Sequence, residues 1–88
     1  IKESPKFIWM GSNGGILNKY DKQKGEFQSY PIKHKGQKWN HVIWDIELDG
    51  DSILWLAMER GVVKFNTNSG ESLVFLPTET NQEIKDIL

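Results

Sequence analysis

One pattern is spelled twice in this chain. Residues 8–21 read IWMGSNGGILNKYD, and residues 54–66 read LWLAMERGVVKFN. Setting Trp9 on Trp55 gives an offset of 46 and places Gly15 on Gly61. One extra residue in the first copy then reduces the offset to 45, and Lys19 meets Lys64, Tyr20 meets Phe65 and Asp21 meets Asn66. Gly25-Glu26 falls on Gly70-Glu71, and Tyr30 on Phe75. A third echo runs from Ile43-x-x-Ile46 to Ile84-x-x-Ile87, 41 residues later. Self-similarity at such a period marks a chain built from stacked supersecondary units. The length changes fall between the apolar segments, where loops joining strands of fixed length absorb them.

The units read as strands. No stretch keeps apolar residues at i, i+3, i+4 and i+7 for long. The segments are short, rich in β-branched and aromatic residues, and separated by Gly, Asn, Asp and Ser. The pattern predicts strands over Phe7–Met10, Ile16–Tyr20, Phe27–Pro31, Val42–Leu48, Ile53–Ala57, Val62–Asn66, Leu73–Leu76 and Ile84–Leu88. Within Val42–Leu48, strict alternation puts Val42, Trp44, Ile46 and Leu48 on one face and Ile43, Asp45 and Glu47 on the other. Ile53-Leu54-Trp55-Leu56-Ala57 does not alternate, and a continuous apolar strand calls for cover on both faces.

Composition narrows the class. With 38% hydrophobic and 26% charged residues the chain is globular rather than disordered. A net charge of −1 gives no electrostatic reason to expect nucleic acid or an anionic membrane. No apolar run approaches the roughly 20 residues that a membrane helix needs. Cysteine is absent, so there is no disulfide framework and no thiolate metal site.

Four strands per period of about 45 residues, one of them apolar on both faces, predict an all-β protein with β-propeller blades. The residues also resemble the two-component regulator propeller repeat. They are Ile43-x-x-Ile46-x-x-Asp49-Gly50, Leu54-Trp55-Leu56-Ala57-Met58, Gly61-Val62 and Phe65-Asn66, with Ile8-Trp9-Met10-Gly11-Ser12, Gly15-Ile16 and Tyr20-Asp21 in the earlier copy. Ala57-Met58-Glu59-Arg60 departs from the Gly-Thr pair of that repeat. Trp9 and Trp55 are expected as anchors between blades, Gly15 and Gly61 in close packing or at positive φ, and Gly25 and Gly70 in hairpin turns.

Lettering the strands of a blade A to D from the centre outward, residues 1–41 give B-C-D plus a connector. Residues 42–77 give a complete blade, and 78–88 a connector and strand A of the next. The chain starts at Ile1 and stops at Leu88 inside an apolar pattern. Propellers close with four to eight blades. The expectation is therefore a piece of one larger propeller domain, completed by the remaining blades of a parent chain. Alone, the 88 residues are expected to be poorly stable or self-associated.

Nothing in the sequence looks catalytic. Asp45-x-Glu47-x-Asp49-Gly50 opens like a calcium loop, but position 12 of that loop would be Leu56. Asp49-Gly50-Asp51 reads as a turn. His34 and His41 have no metal-ligand spacing, and no Ser stands in a nucleophile elbow. No cofactor is expected. The segment to watch is Ile32–His41, IKHKGQKWNH, between two units. Propeller connectors of this kind share one face with the loops between strands B and C. An exposed Trp39 beside Asn40, His41 and Lys38 suits a sugar ring, with the basic residues favouring an acidic glycan. Asn13 and Arg60 in the neighbouring loops complete the candidate set. The alternative is that Trp39 packs back on the sheet and the lysines are simply solvated.

The resemblance implies the rest. Proteins with such repeats carry them in the periplasmic sensor region of hybrid two-component systems, where they recognise carbohydrate and signal across a membrane to a histidine kinase. It implies a periplasmic or extracellular location, an oligosaccharide ligand and a homodimeric parent. Two rivals remain: a protein-interaction scaffold, and a propeller lyase or hydrolase whose catalytic groups converge from several blades.

Overall fold

The computed structural model describes residues 1–77. Its strands are β1 (Lys2–Glu3), β2 (Phe7–Gly11), β3 (Ile16–Asp21), β4 (Glu26–Pro31), β5 (Lys33–His34), β6 (Gln37–Lys38), β7 (Ile43–Asp49), β8 (Ile53–Met58), β9 (Gly61–Asn66) and β10 (Ser72–Phe75). The described chain is all-β, without helix. β1–β4 form one antiparallel four-stranded meander and β7–β10 another, with β5 and β6 as a small hairpin between them. The expected strand over Ile84–Leu88 lies outside the described residues.

The two sheets repeat one another in register as well as in sequence. Trp9 lies opposite Lys19 on one side and Lys2 on the other, and Trp55 lies opposite Lys64 and Glu47. Leu17 faces Tyr30, and Val62 faces Phe75. Gly25 and Gly70 both take positive φ in the turns before β4 and β10, as their spacing predicts.

The core sits between the sheets. β8 sends Leu54, Leu56 and Met58 to one side and β9 sends Val63 and Phe65, all at most 6% exposed. They meet Trp9 and Leu17 of the first sheet, with Ile32, Ile43, Ile46 and Val74 completing one cluster. Tyr30 of β4 packs its ring edge-on to Phe65, with centroids 5.4 Å apart. So one sheet's Trp9 face rests on the other's Leu56 face, and the sheets stack in the same sense rather than face to face about a twofold.

Three features depart from the sequence pattern. The first sheet has a fourth strand, β1, which the three-strand expectation for residues 1–41 lacked. It is two polar residues long, and no hydrophobic pattern marks it. The connector carries the β5–β6 hairpin, turned by Lys35 and Gly36, both at positive φ (53° and 79°). That is the backbone of a type I′ turn, which suits a tight hairpin. Finally, the alternation expected in Val42–Leu48 is broken. The register shifts between Ile43 and Asp45, a β-bulge. An extra residue in one strand re-aims the side chains around it. Ile43 therefore enters the core at 7% exposure and Trp44 points away at 68%, the reverse of simple alternation.

Candidate functional site: a loop cluster at one end of the sheets

Three segments meet at the end of the sheets where β2 and β8 finish. They are the β2–β3 loop (12–15), the connector (32–42) and the β8–β9 turn (59–60). Backbone hydrogen bonds tie them together. Ile32 N–H donates to Gly15 O at 2.9 Å, Ile43 N–H to Ser12 O at 3.2 Å, and Glu59 N–H to Val42 O at 2.9 Å. Within the connector, Trp39 N–H donates to Ile32 O and His41 N–H to Trp39 O. The Ser12 hydroxyl accepts from Ile16 N–H at 3.1 Å, which shapes the first loop.

Gly15 is the hinge of this arrangement. Its φ is +74°, and a Cβ there would fall on the carbonyl oxygen of Trp39. Any side chain would thus meet both backbone strain and a collision. Its repeat partner Gly61 has ordinary φ, but a Cβ there would fall on the carbonyl of Phe75. In both copies a glycine lets neighbouring backbone approach.

The six candidate residues all lie in this cluster, with different exposures. Asn13, Lys38, Asn40 and Arg60 are exposed. His41 is half-buried, with Nδ1 3.4 Å from Glu59 Oε1, so the connector touches the β8–β9 turn through side chains as well as backbone. Trp39 is half-buried and packs against the core. Its ring is edge-on to His41, at 4.7 Å between centroids, and to His34 at 6.1 Å. Part of the Trp39 surface is thus committed to packing, which reduces the face left for a ligand.

The sequence reading missed Trp44. It opens β7 at the same end and is the most exposed of the four tryptophans. The bulge alone puts it there, and a one-residue bulge carries no signal in a period-2 pattern.

Among the described residues no group of three His, Asp or Glu side chains converges as a metal site would require. Asp49 accepts a hydrogen bond from Trp55 Nε1 at 3.0 Å, and Asp45 one from the Ile46 amide at 2.9 Å. Both therefore shape the strand and its turn. Two further concavities are present, the second of them bordered by the connector itself. One is a cleft of about 460 Å³ at the opposite end, where the sheets splay between Phe7, Lys19, Leu48 and Asp51. The other is a shallow groove of about 710 Å³ between Tyr30, Lys33, Lys35 and Ser69–Ser72. Neither collects groups that could act together as acid, base or nucleophile. No protein-family model matches the chain, and no curated protein or solved structure matches it.

Proposed function

We propose that the two sheets are consecutive blades of a β-propeller, and that the chain belongs to the periplasmic or extracellular sensor region of a two-component signalling protein. Its role is to bind carbohydrate rather than to make or break bonds. One observation carries the reading. Two four-stranded meanders, equivalent in sequence and register, stack in the same sense, so that further units would continue the stack. The gathering of Asn13, Lys38, Asn40, His41 and Arg60 at one end supports a binding mouth there. Trp44, rather than Trp39, is the better stacking platform, because its ring is free on the surface. Signalling would be conformational: a ligand favouring one arrangement of the sensor shifts its population.

The test is titration calorimetry with a uronic-acid oligosaccharide and a neutral one of equal length. The expected result is binding of the acidic sugar, lost in Trp44→Ala without loss of thermal stability. Lys38→Glu is expected to weaken the acidic ligand alone. No heat from either sugar, or binding indifferent to both substitutions, would sink the carbohydrate reading.

A further inference from the structure

The two outer faces of the stack differ from each other and match the two halves of the interface already present. The outer face of the second sheet carries Ile53, Trp55, Ala57, Val62, Lys64 and Phe75. By register these are the counterparts of Phe7, Trp9, Gly11, Leu17, Lys19 and Tyr30, which form the first sheet's half of the buried interface. The outer face of the first sheet carries Ile8, Met10 and Tyr20, with Ile1 just before β1, and also Asn18 and Ser29, hydrogen-bonded to each other where the second sheet has Val63 and Val74. Ile8, Met10, Tyr20 and Ile1 are the counterparts of Leu54, Leu56, Phe65 and Ile46, the second sheet's half. Among the described residues no strand packs over either outer face; on the Trp55 face Ala57, Lys64 and Leu73 are exposed, while Phe75 is 3% exposed. Ile1 is 91% exposed, and Phe27, whose ring lies 4.7 Å from that of Tyr20, is 66% exposed. Each outer face is thus one half of an interface whose other half sits on the opposite side of the same molecule.

We propose that a second copy of this chain docks head to tail, its Ile1–Met10–Tyr20 face on the Trp55 face of the first. The proposal rests on the blade reading of the two sheets, not on the sensor reading. Charge favours a second copy as the occupant. Lys2 and Glu47 occupy the same register position in the two sheets, opposite Trp9 and Trp55, and they pair across the existing interface at 3.5 Å. In the next interface the same position would bring Glu47 beside Lys2 of the incoming copy, again with opposite signs. A unit carrying an acidic residue there would set like charges together. Because the two faces differ, the contact is heterologous, and copies add in one direction until a ring closes or a filament grows.

The decisive experiment is complementation, read by sedimentation velocity of the full 88-residue chain over a concentration series. Wild type is expected to gain mass as concentration rises. Trp55→Lys spoils one face and Met10→Lys the other. Each alone is expected to lower the apparent association constant at least ~10-fold. An equimolar mixture of the two is expected to form a one-to-one dimer and stop, since it holds one intact pair of faces. Should either variant misfold, Ala57→Lys and Phe27→Lys repeat the design at exposed positions. A mixture that fails to pair overturns the head-to-tail contact. A folded wild-type chain with buried Trp9 that stays monomeric overturns the docking but leaves the blade reading standing. A monomer in which Trp55 is shielded assigns the cover to the chain itself and also overturns it. A chain in which Trp9 is not buried overturns both.

Discussion

Trp9 and Trp55 occupy one position of one motif, yet the protein treats them differently. Each faces a lysine across the sheet: Lys19 Nζ lies 5.8 Å from the Trp9 ring centre and Lys64 Nζ 5.6 Å from that of Trp55. Each has an aromatic neighbour two strands away, Tyr30 at 6.5 Å and Phe75 at 6.4 Å. But Trp9 is 3% exposed under the second sheet, while Trp55 is only half-buried. The local neighbourhood is written into each repeat. For the two tryptophans burial follows whether another sheet lies on top, whereas Phe75 is 3% exposed with no described strand over it. A motif can therefore specify an interface that a given stretch of chain does not complete, and the energy of a motif residue belongs to the pair of units rather than to the unit.

The largest effect expected from this contrast is at the tryptophans themselves. Removing a buried Trp side chain takes away its transfer energy and leaves a cavity, so Trp9→Ala is expected to cost about 3–5 kcal/mol. Under dilute conditions, where copies do not meet, Trp55→Ala is expected to cost less, about 1–2 kcal/mol, from its partly buried ring against Phe75 and its Asp49 hydrogen bond. Urea unfolding of the two variants at low micromolar concentration measures the difference. Equal losses would break the comparison, because Trp55 would then be part of the isolated chain's core. If the difference shrinks as concentration rises, the comparison is sharpened, since the second face then acquires a cover.

A smaller effect is expected two residues further along each strand. A Cβ on Gly11 would lie 2.5 Å from Ile43 Cγ2, the bulged residue that enters the core from the other sheet. Ala57, its counterpart, already carries a Cβ and is exposed. Gly11→Ala is expected to destabilise by about 1–3 kcal/mol through overpacking. Ala57→Gly is expected to cost only about 0.5–1 kcal/mol, the strand-interior penalty of glycine. A stabilising Gly11→Ala in the same unfolding assay would mean that Ile43 yields without loss, and the sheets would be less closely fitted than their register suggests.

These contrasts also explain what was legible beforehand. All seven strands expected within the described residues form, to within a residue at each end. Each is either apolar enough to pack or bounded by a turn signal, and the repeat fixed their correspondence. β1 was illegible because Lys2 and Glu3 carry no hydrophobic pattern, and their ion pairs with Glu47 and Lys22 join residues far apart in the sequence. The placement of Trp44 and Ile43 was illegible because a bulge shifts phase by one residue without any required residue type. The loop cluster was half legible. The connector and the β2–β3 loop were expected at one end of the sheets, and Gly15 is the residue that lets them touch. Which tryptophan would be the most exposed there depended on the bulge, so the sequence singled out Trp39 and passed over Trp44.

The smallest effect separates the two turns that follow β3 and β9. In the first, Asp21 Oδ1 accepts from the amides of Gln23 and Lys24, each at 3.0 Å. In the second, Asn66 Oδ1 accepts from Asn68 at 2.8 Å and Ser69 at 3.1 Å. Gly25 and Gly70 close both turns onto the same carbonyl position. The geometry is shared, but only the first turn can titrate. The Lys24 amide, more than any other group, holds the Asp21 carboxyl below its ordinary range. Desolvation, the next largest effect, opposes this, and the Gln23 amide and the charges of Lys24 and Lys19 add to the lowering. A carboxylate whose folded pKa is depressed contributes stability above its unfolded value, and that stability is lost as pH falls through the folded one. On acidification, the Gln23 and Lys24 amide resonances are therefore expected to move together with a midpoint below that of a free aspartate, while those of Asn68 and Ser69 stay still. Asp21→Asn is expected to abolish the movement, and Asn66→Asp to install it in the second turn. If Asn66→Asp left the second turn silent to acid, the turns would differ by more than one titratable atom, and the equivalence of the two sheets would end at their strands.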